Sequence, residues 1–416
     1  MKKMYLVTNG FPFDRSEDPF IIPELKELIT KYDVTIISCV MMSVVLEEER
    51  NLFELIGKNI PVYQYRVHRK NIWQILRSIF LCFHPIFLKE VIDIIKTRTK
   101  FLGRLWRSYL FFTQSDDFYR WLRRKKIIEI DKEGIFYTYW NVYYSFHMGV
   151  YRKCYPNLKL ISRLHGYDLY DFVEPYGRQP FKETMNSTYD KLVFISEHGK
   201  KYYCEKYNQI KNIDKYPVCK LGIEAKIPYI KKGNFPFLLV SCSTISSVKR
   251  VWLIVEGLEK IQDCQIKWVH FGDGEEKEDI INLAKKILKL KKNIEYVFMG
   301  KQPNNAVLDY YKQYYPSCII NVSESEGSPV SIQEALAFGT PVIATDVGGN
   351  SELIENNGYL LPANPSPEQI ACAIRYVAQA DIGRYQEMRK QSYILWDKEY
   401  NRKKNTEKFL EVLEGL

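Results

Sequence analysis

Ser323-Glu324-Ser325-Glu326-Gly327-Ser328-Pro329-Val330-Ser331-Ile332-Gln333-Glu334-Ala335-Leu336-Ala337-Phe338-Gly339-Thr340-Pro341-Val342-Ile343-Ala344-Thr345 is the stretch that decides how this chain is read. An apolar, β-branched run ends just before it at Val322 and predicts a strand. Gly327 allows the backbone to turn tightly, and Pro329 suits the opening turn of a helix that continues to about Phe338. A helix N-terminus is thereby brought to the carboxyl edge of a sheet. Its backbone N–H groups and dipole attract an anion such as a diphosphate, and open α/β sheets bind ligands at this edge. Glu326 lies just before the helix and Glu334 about two turns later, and each carboxylate can accept hydrogen bonds from sugar hydroxyls. A pair of glutamates at such spacing also arises on solvated helices, so the pair gains meaning only from what flanks it.

The surrounding sequence repeats the same strand-then-helix order. In the first half, strands are expected at residues 4–8, 34–39, 135–139, 158–163 and 192–195, with helical spacing at 23–32 and 72–95. After the polar segment Lys231-Lys232-Gly233-Asn234-Phe235-Pro236, strands are expected at 237–242, 266–271, 294–299, 318–322 and 341–345. Alternating β and α elements predict parallel sheets covered by helices on both faces. At 416 residues the chain is long enough for two domains. They are assigned to 1–225 and 226–390, with a C-terminal helix over 391–416 assigned to pack back on the first domain, although spacing alone does not fix which domain it joins.

Hydrophobic content of 46% and charged content of 26% exclude disordered, collagen-like and coiled-coil classes. The nine cysteines are scattered without a Cys-x-x-Cys pair or a zinc-like cluster, a pattern of reduced thiols that fits a cytosolic protein. The apolar stretch at the N-terminus stops at Asn9-Gly10, too early for a signal peptide. The uncharged run 78–88 falls far short of the roughly 20 residues a spanning helix needs. The uncharged run 134–151 carries Thr138, Asn141 and His147 and reads as a strand followed by a helix.

The net charge of +10 is local. Residues 66–126 hold fifteen Lys/Arg against four acids, which leaves the rest of the chain near neutral. Trp73, Phe80, Phe83, Phe87, Trp106 and Trp121 are interleaved with these charges. Such a block suits an anionic partner: phospholipid headgroups, a lipid diphosphate or nucleic acid. A solvated helical surface is the alternative.

With Gly after Glu326, Ala after Glu334, then Gly339-Thr340-Pro341-Val342-Ile343-Ala344 and Gly348-Gly349, the chain strongly resembles family 4 of the retaining glycosyltransferases, of bacterial surface-polysaccharide type. The resemblance implies the GT-B fold, two Rossmann-like domains facing each other across a cleft. It also implies site residues. Glu326 would orient the donor sugar and Glu334 would hold the ribose, with Gly327, Ser328, Pro329, Val330 and Ser331 around the diphosphate. Lys249 stands where the family has a phosphate-binding lysine. Thr244 occupies the place of the usual arginine, for which Arg250 could substitute. Gly272, in His270-Phe271-Gly272-Asp273-Gly274, and Gly300-Lys301 match donor-side turns, and 351–361 completes the family-like half.

Arg163-Leu164-His165-Gly166-Tyr167-Asp168-Leu169-Tyr170 resembles the His-Gly-x-Asp element. Its His165 would meet the donor sugar, with Tyr167 and Asp168 on the acceptor side. His165 follows a predicted strand and so lies at a ligand-binding edge on positional grounds too; His68, His84, His147, His198 and His270 are read as structural. Gly10 lies in the first βα loop, which lacks the family's double glycine and is made acidic by Asp14, Glu17 and Asp18. Leu221-Gly222-Ile223-Glu224 resembles the element that closes the first domain.

The activity implied is transfer of a hexosyl or N-acetylhexosaminyl group, with retention, from a nucleotide-sugar. A UDP-sugar is favoured, and the recipient is a hydroxyl of a glycan or lipid-linked glycan in surface polysaccharide synthesis. No metal and no cofactor are expected, and no nucleic-acid partner. Peripheral contact with an anionic membrane at the cytoplasmic face is expected. A sugar-nucleotide epimerase or a phosphorylase could use the same fold, and a nucleic-acid-binding protein could use the basic block. A nicotinamide dehydrogenase is disfavoured because no Gly-x-Gly-x-x-Gly follows the first strand of either half.

Overall fold

A computed structural model describes residues 1–40, 51–67, 72–129, 132–207, 213–224 and 236–416. The segment 225–235, which contains the expected domain boundary and nearly all of the polar linker, lies outside the described residues, as does His68.

The chain divides into two units. One comprises Met1–Ile195, Gly199–Cys219 and Lys408–Leu416; the other comprises Ser196–His198 and Lys220–Glu407. Each is built on a six-stranded sheet, and every strand pair is parallel.

In the first unit the strands are β1 (Lys2–Thr8), β2 (Tyr32–Val40), β3 (Val62–Arg66), β4 (Gly134–Thr138), β5 (Leu158–Leu164) and β6 (Lys191–Phe194), in the order β3-β2-β1-β4-β5-β6. In the second they are β7 (Phe237–Cys242), β8 (Ile266–Phe271), β9 (Ile294–Phe298), β10 (Cys318–Asn321), β11 (Val342–Thr345) and β12 (Gly358–Leu361), in the order β12-β11-β10-β7-β8-β9. Counted from each unit's own first strand, the two orders are identical.

Helices cover both faces of each sheet, so the strands are apolar on both sides. Leu239, Trp268, Ile320 and Ile343 enter one core, against helices Val251–Glu259, Lys277–Leu288 and Pro367–Ala378. Their neighbours Val240, Val269, Ile319 and Ala344 enter the other, against Asn304–Tyr314 and Val330–Ala337. In the first unit Tyr5, Val7, Phe136 and Leu160 alternate in the same way with Met4, Leu6, Ile135 and Ile161. Phe409, Leu410 and Leu413, from helix Arg402–Glu414, are buried in the latter core. Arg163 in β5 pairs with Glu24 at 2.6 Å and lies over the ring of Phe409.

Three expectations need correction. The apolar runs predict no strand at β3 or β12; both are edge strands with exposed residues, so neither presents an unbroken apolar run. The expected helix at 72–95 is two helices, Ile72–Leu81 and Pro85–Lys96, separated at Pro85, and His84 caps the second by accepting from the Ile86 N–H. The helix expected from residue 23 begins at Asp18 and contains Pro23.

Candidate active site

A doubly wound sheet opens a crevice at the carboxyl ends of the two strands where its order reverses, because the loops there diverge to opposite faces. In the second unit those strands are β7 and β10. Their loops meet directly: the Glu324 N–H donates to the Val248 carbonyl at 2.8 Å, and Lys249 Nζ lies 2.7 Å from Glu326 Oε1. The same carboxylate oxygen accepts from Ser323 Oγ at 2.6 Å and Asn321 Nδ2 at 3.0 Å. Glu326 is therefore held by three donors, and its lysine partner is half-buried.

The loop after β11 closes on this group. A Cβ on Gly348 would lie 1.7 Å from the Glu326 carbonyl oxygen, and its φ of +53° is one that side chains disfavour; a Cβ on Gly349 would lie 2.3 Å from the Gly327 oxygen. Only glycines permit this approach. Beyond it begins helix Val330–Ala337, with Pro329 as N-cap and no side chain capping the first turn. Gln333, fully buried, donates to Ser328 Oγ at 2.8 Å and so fixes the turn from inside. Lys249, Glu326, Gly327, Ser328, Pro329, Val330 and Ser331 are thus gathered at one place, where a cation, a carboxylate and an uncapped helix start coincide.

Glu334 points into the body of the unit. It is 3% exposed, and Asn304 Nδ2, at the start of helix Asn304–Tyr314, donates to its carboxylate. Burial pushes its carboxyl up to about 7, against the opposing influence of Asn304 and of the Arg402 charge. Thr244 is exposed in the loop after β7.

Arg250 is a correction to the sequence reading. Its guanidinium donates to the carbonyls of Val322 (2.7 Å), Ser323 (2.8 Å) and Ala363 (2.8 Å) and to Asn364 Oδ1 (2.9 Å). It is 8% exposed and, rather than standing in for a phosphate-binding arginine, ties together the loops after β10 and β12. Gly272 and Gly300 adjoin each other, the Gly272 N–H donating to the Gly300 carbonyl at 2.9 Å. They end β8 and β9, one and two strands from the reversal. A Cβ on Gly272 would lie 1.8 Å from the Ser243 oxygen, so this turn packs on the loop after β7. Lys301 is exposed beyond it.

The first unit reverses between β1 and β4. There Glu17, buried, accepts from the N–H groups of Asn9 (3.1 Å) and Phe11 (3.0 Å) and from Trp140 Nε1 (2.5 Å). The acidic loop is thus folded on its own glutamate. The N–H groups of Asn9 and Phe11, on either side of Gly10, are already taken.

His165, just after β5, packs against Trp140 with the rings tilted at 36° and their centroids 4.0 Å apart, and both ring nitrogens are buried without a hydrogen-bond partner. Burial lowers its pKa against the pull of Asp168. Tyr167 is 50% exposed. Asp168 is buried and accepts the backbone N–H groups of His165 (2.6 Å) and Asn141 (2.7 Å). It therefore shapes the loop from within, a correction to its placement on the acceptor side.

Lys182, missed by the sequence reading, is buried beside this loop and donates to the Asn141 carbonyl at 2.7 Å. Burial brings its pKa down to about 8, against the opposing charges of Asp168 and Asp171. No motif marks Lys182, Asn141 or Asn304; their roles arise from segments distant in sequence packing together.

Residues 224–395 match the family described as Glycosyl transferases group 1. The chain is 34% identical over 146 residues to the UDP-N-acetylglucosamine–peptide N-acetylglucosaminyltransferase GtfA subunit of Streptococcus agalactiae, covering 33% of this chain and 27% of that protein. It is 33% identical over 126 residues to the putative teichuronic acid biosynthesis glycosyltransferase TuaC of Bacillus subtilis, covering 30% of this chain and 29% of TuaC. The matches thus span under a third of either relative. Among solved structures, Anabaena HepE in complex with UDP and glucose superposes over 100% of both chains with a TM-score of 0.65 at 13% identity. A likeness at that identity is one of fold, and the fold is GT-B.

Proposed function

We propose that this chain is a glycosyltransferase that moves a hexosyl or N-acetylhexosaminyl group, with retention of configuration, from a UDP-sugar to a hydroxyl of a glycan or lipid-linked glycan in surface polysaccharide synthesis. The observation that carries the reading is the convergence of Lys249, Glu326 and the uncapped start of helix Val330–Ala337 at the strand-order reversal of the second sheet. Fixed positive potential at that edge suits a diphosphate. The match of residues 224–395 to a glycosyltransferase family supports it. The names of the S. agalactiae and B. subtilis relatives support the donor and the polysaccharide role, and the HepE complex supports UDP.

In this reading a nucleotide-sugar draws Lys249 away from Glu326 and onto the phosphates, which frees the carboxylate to accept from a sugar hydroxyl. Glu334 accepts from the ribose. His165 is assigned to the donor sugar and Tyr167 to the acceptor side. Charge develops on the departing diphosphate, and Lys249 with the N–H groups of Val330 and Ser331 meets it with donors already in place. The departing phosphate takes the acceptor's proton, so no protein nucleophile and no metal ion is needed. A lipid-linked acceptor would put the reaction at the inner face of the cell membrane.

A thermal-shift screen of UDP-, GDP- and ADP-sugars tests the donor, because a ligand that binds only the native state raises its melting point. A UDP-sugar is expected to give the largest rise, and no rise with any of the three would contradict the proposal. Full transfer activity in folded Glu326→Ala and Glu334→Ala variants would contradict the residue assignment.

A further inference from the structure

Helix Pro85–Lys96 is apolar on two sides. On its inward side Phe87 packs against Phe112 and Phe181, and Glu90 accepts from Arg178 (3.1 Å) and Ser108 (3.3 Å). On its outward side Leu88, Ile92 and Ile95 recur at helical spacing and are 46%, 54% and 54% exposed. A helix at a water-facing surface carries polar residues there.

The elements on either side of it in the chain also expose apolar side chains. Ile79, Phe80 and Phe83 precede the helix, the last two 75% and 71% exposed; Phe101, Leu102 and Trp106 follow it, with Leu102 at 77%. Scattered single exposures are ordinary, but nine large apolar side chains presented by three consecutive helices and their turns are not. Phe87 and Trp121, counted with this set in the sequence, are turned inward or half-buried.

Four exposed cations, Lys89, Lys96, Arg98 and Lys100, are interleaved with these side chains in the sequence; Lys89 pairs with Glu183 at 3.7 Å, Lys96 with Asp93 at 3.0 Å, and Lys100 Nζ donates to the Pro175 carbonyl at 3.3 Å. Much of the block's other charge is spent internally: Arg77 pairs with Asp116, Arg107 with Glu174, and Arg104 donates to the Tyr176 carbonyl. No described helix is long and apolar enough to cross a membrane. Aromatic and aliphatic tips ringed by lysine and arginine are the composition of a helix that lies in a bilayer interface.

We propose that the outward side of residues 79–106 is a docking surface for an anionic lipid bilayer. Phe80, Phe83 and Leu102 enter the interface, Trp106 lies at headgroup depth, and Lys89, Lys96, Arg98 and Lys100 meet the anionic headgroups. The inference does not depend on the reaction proposed above, because binding is read without turnover.

The test is co-sedimentation of the full chain with vesicles of phosphatidylcholine alone or mixed with phosphatidylglycerol, at low and high salt. Binding is expected to the mixed vesicles and to weaken with salt. Phe80→Ser/Phe83→Ser/Leu102→Ser should lower it by roughly tenfold or more, with the melting point unchanged because these side chains are already exposed. Lys96→Glu/Arg98→Glu/Lys100→Glu should remove the preference for anionic lipid. Brominated lipids should quench tryptophan fluorescence in the unaltered chain and less so in Trp106→Phe, a readout that stands even if the triple serine variant fails to fold. Absence of binding to mixed vesicles would overturn the proposal. So would a dimer in analytical ultracentrifugation that the serine variant abolishes, which would assign the surface to a second copy of the chain.

Discussion

Lys249 and Glu326 neutralise each other at 2.7 Å, so a diphosphate must compete with a carboxylate for its lysine. Because the pair is partly exposed, breaking it costs little stability, about 1 kcal/mol or less. Its cost to catalysis is of another order. In Lys249→Ala we expect an unchanged melting point and a kcat lowered about 100- to 1,000-fold, the usual effect of deleting one donor to a developing oxyanion; steady-state kinetics checks this.

Glu334 makes a second prediction. Its carboxyl titrates near 7, above its ordinary value, so in the empty protein the proton is retained up to neutrality. The stability linked to that proton is full below the unfolded value near 4.5 and is lost as pH rises through about 7. Two ribose hydroxyls donating to the carboxylate favour its ionised form, so donor binding favours loss of the proton. Donor affinity measured by calorimetry should rise with pH, approaching about tenfold per unit well below 7, and level off above it; Glu334→Gln should flatten the profile.

Both glutamates were visible in the sequence because the motif around them is dense. Arg250 was considered for the phosphates because Thr244 stands where the family has its arginine, while its actual partners are Asn364 and backbone carbonyls that no sequence pattern displays.

At the scale of elements, the site is a meeting of loops held by backbone fit. Gly348→Ala would place a methyl group within 1.7 Å of the Glu326 oxygen at a strained φ, so the Glu326 loop must move. Donor affinity and turnover should both fall although residue 348 touches no ligand in this account, and a variant with unchanged kinetics would show that the loop contact is dispensable. Arg250→Ala strips three loop carbonyls of their buried donor and should destabilise the protein by about 3 kcal/mol or more, read by chemical denaturation.

Central strands were legible because both faces are buried: β7 and β8 fall where the apolar runs predicted them. Edge strands β3 and β12 were not, since solvent on the open side relaxes the demand for apolar residues. The loop around Gly10 read as acidic, yet Glu17 turns inward onto its N–H groups and accepts from Trp140 in the loop after β4.

At the scale of the molecule, two units of one topology each concentrate polar side chains at the strand-order reversal. The alternation of strands and helices made this architecture legible, because each turn of the pattern forces a parallel crossover. The buried cluster of Lys182, Asn141 and Asp168 was not legible, since its members come from the start of helix Lys182–Thr188 and from two separate loops. A reaction driven by protein donors alone should proceed in EDTA, and loss of turnover on chelation would show that an ion shares the burden.

The most direct test of the central claim is a crystal structure of the chain soaked with UDP. The account predicts the diphosphate at the start of helix Val330–Ala337, within hydrogen-bond distance of the Val330 or Ser331 N–H, with Lys249 Nζ moved from Glu326 onto a phosphate oxygen. Nucleotide bound elsewhere, with the Lys249–Glu326 pair intact, would contradict it.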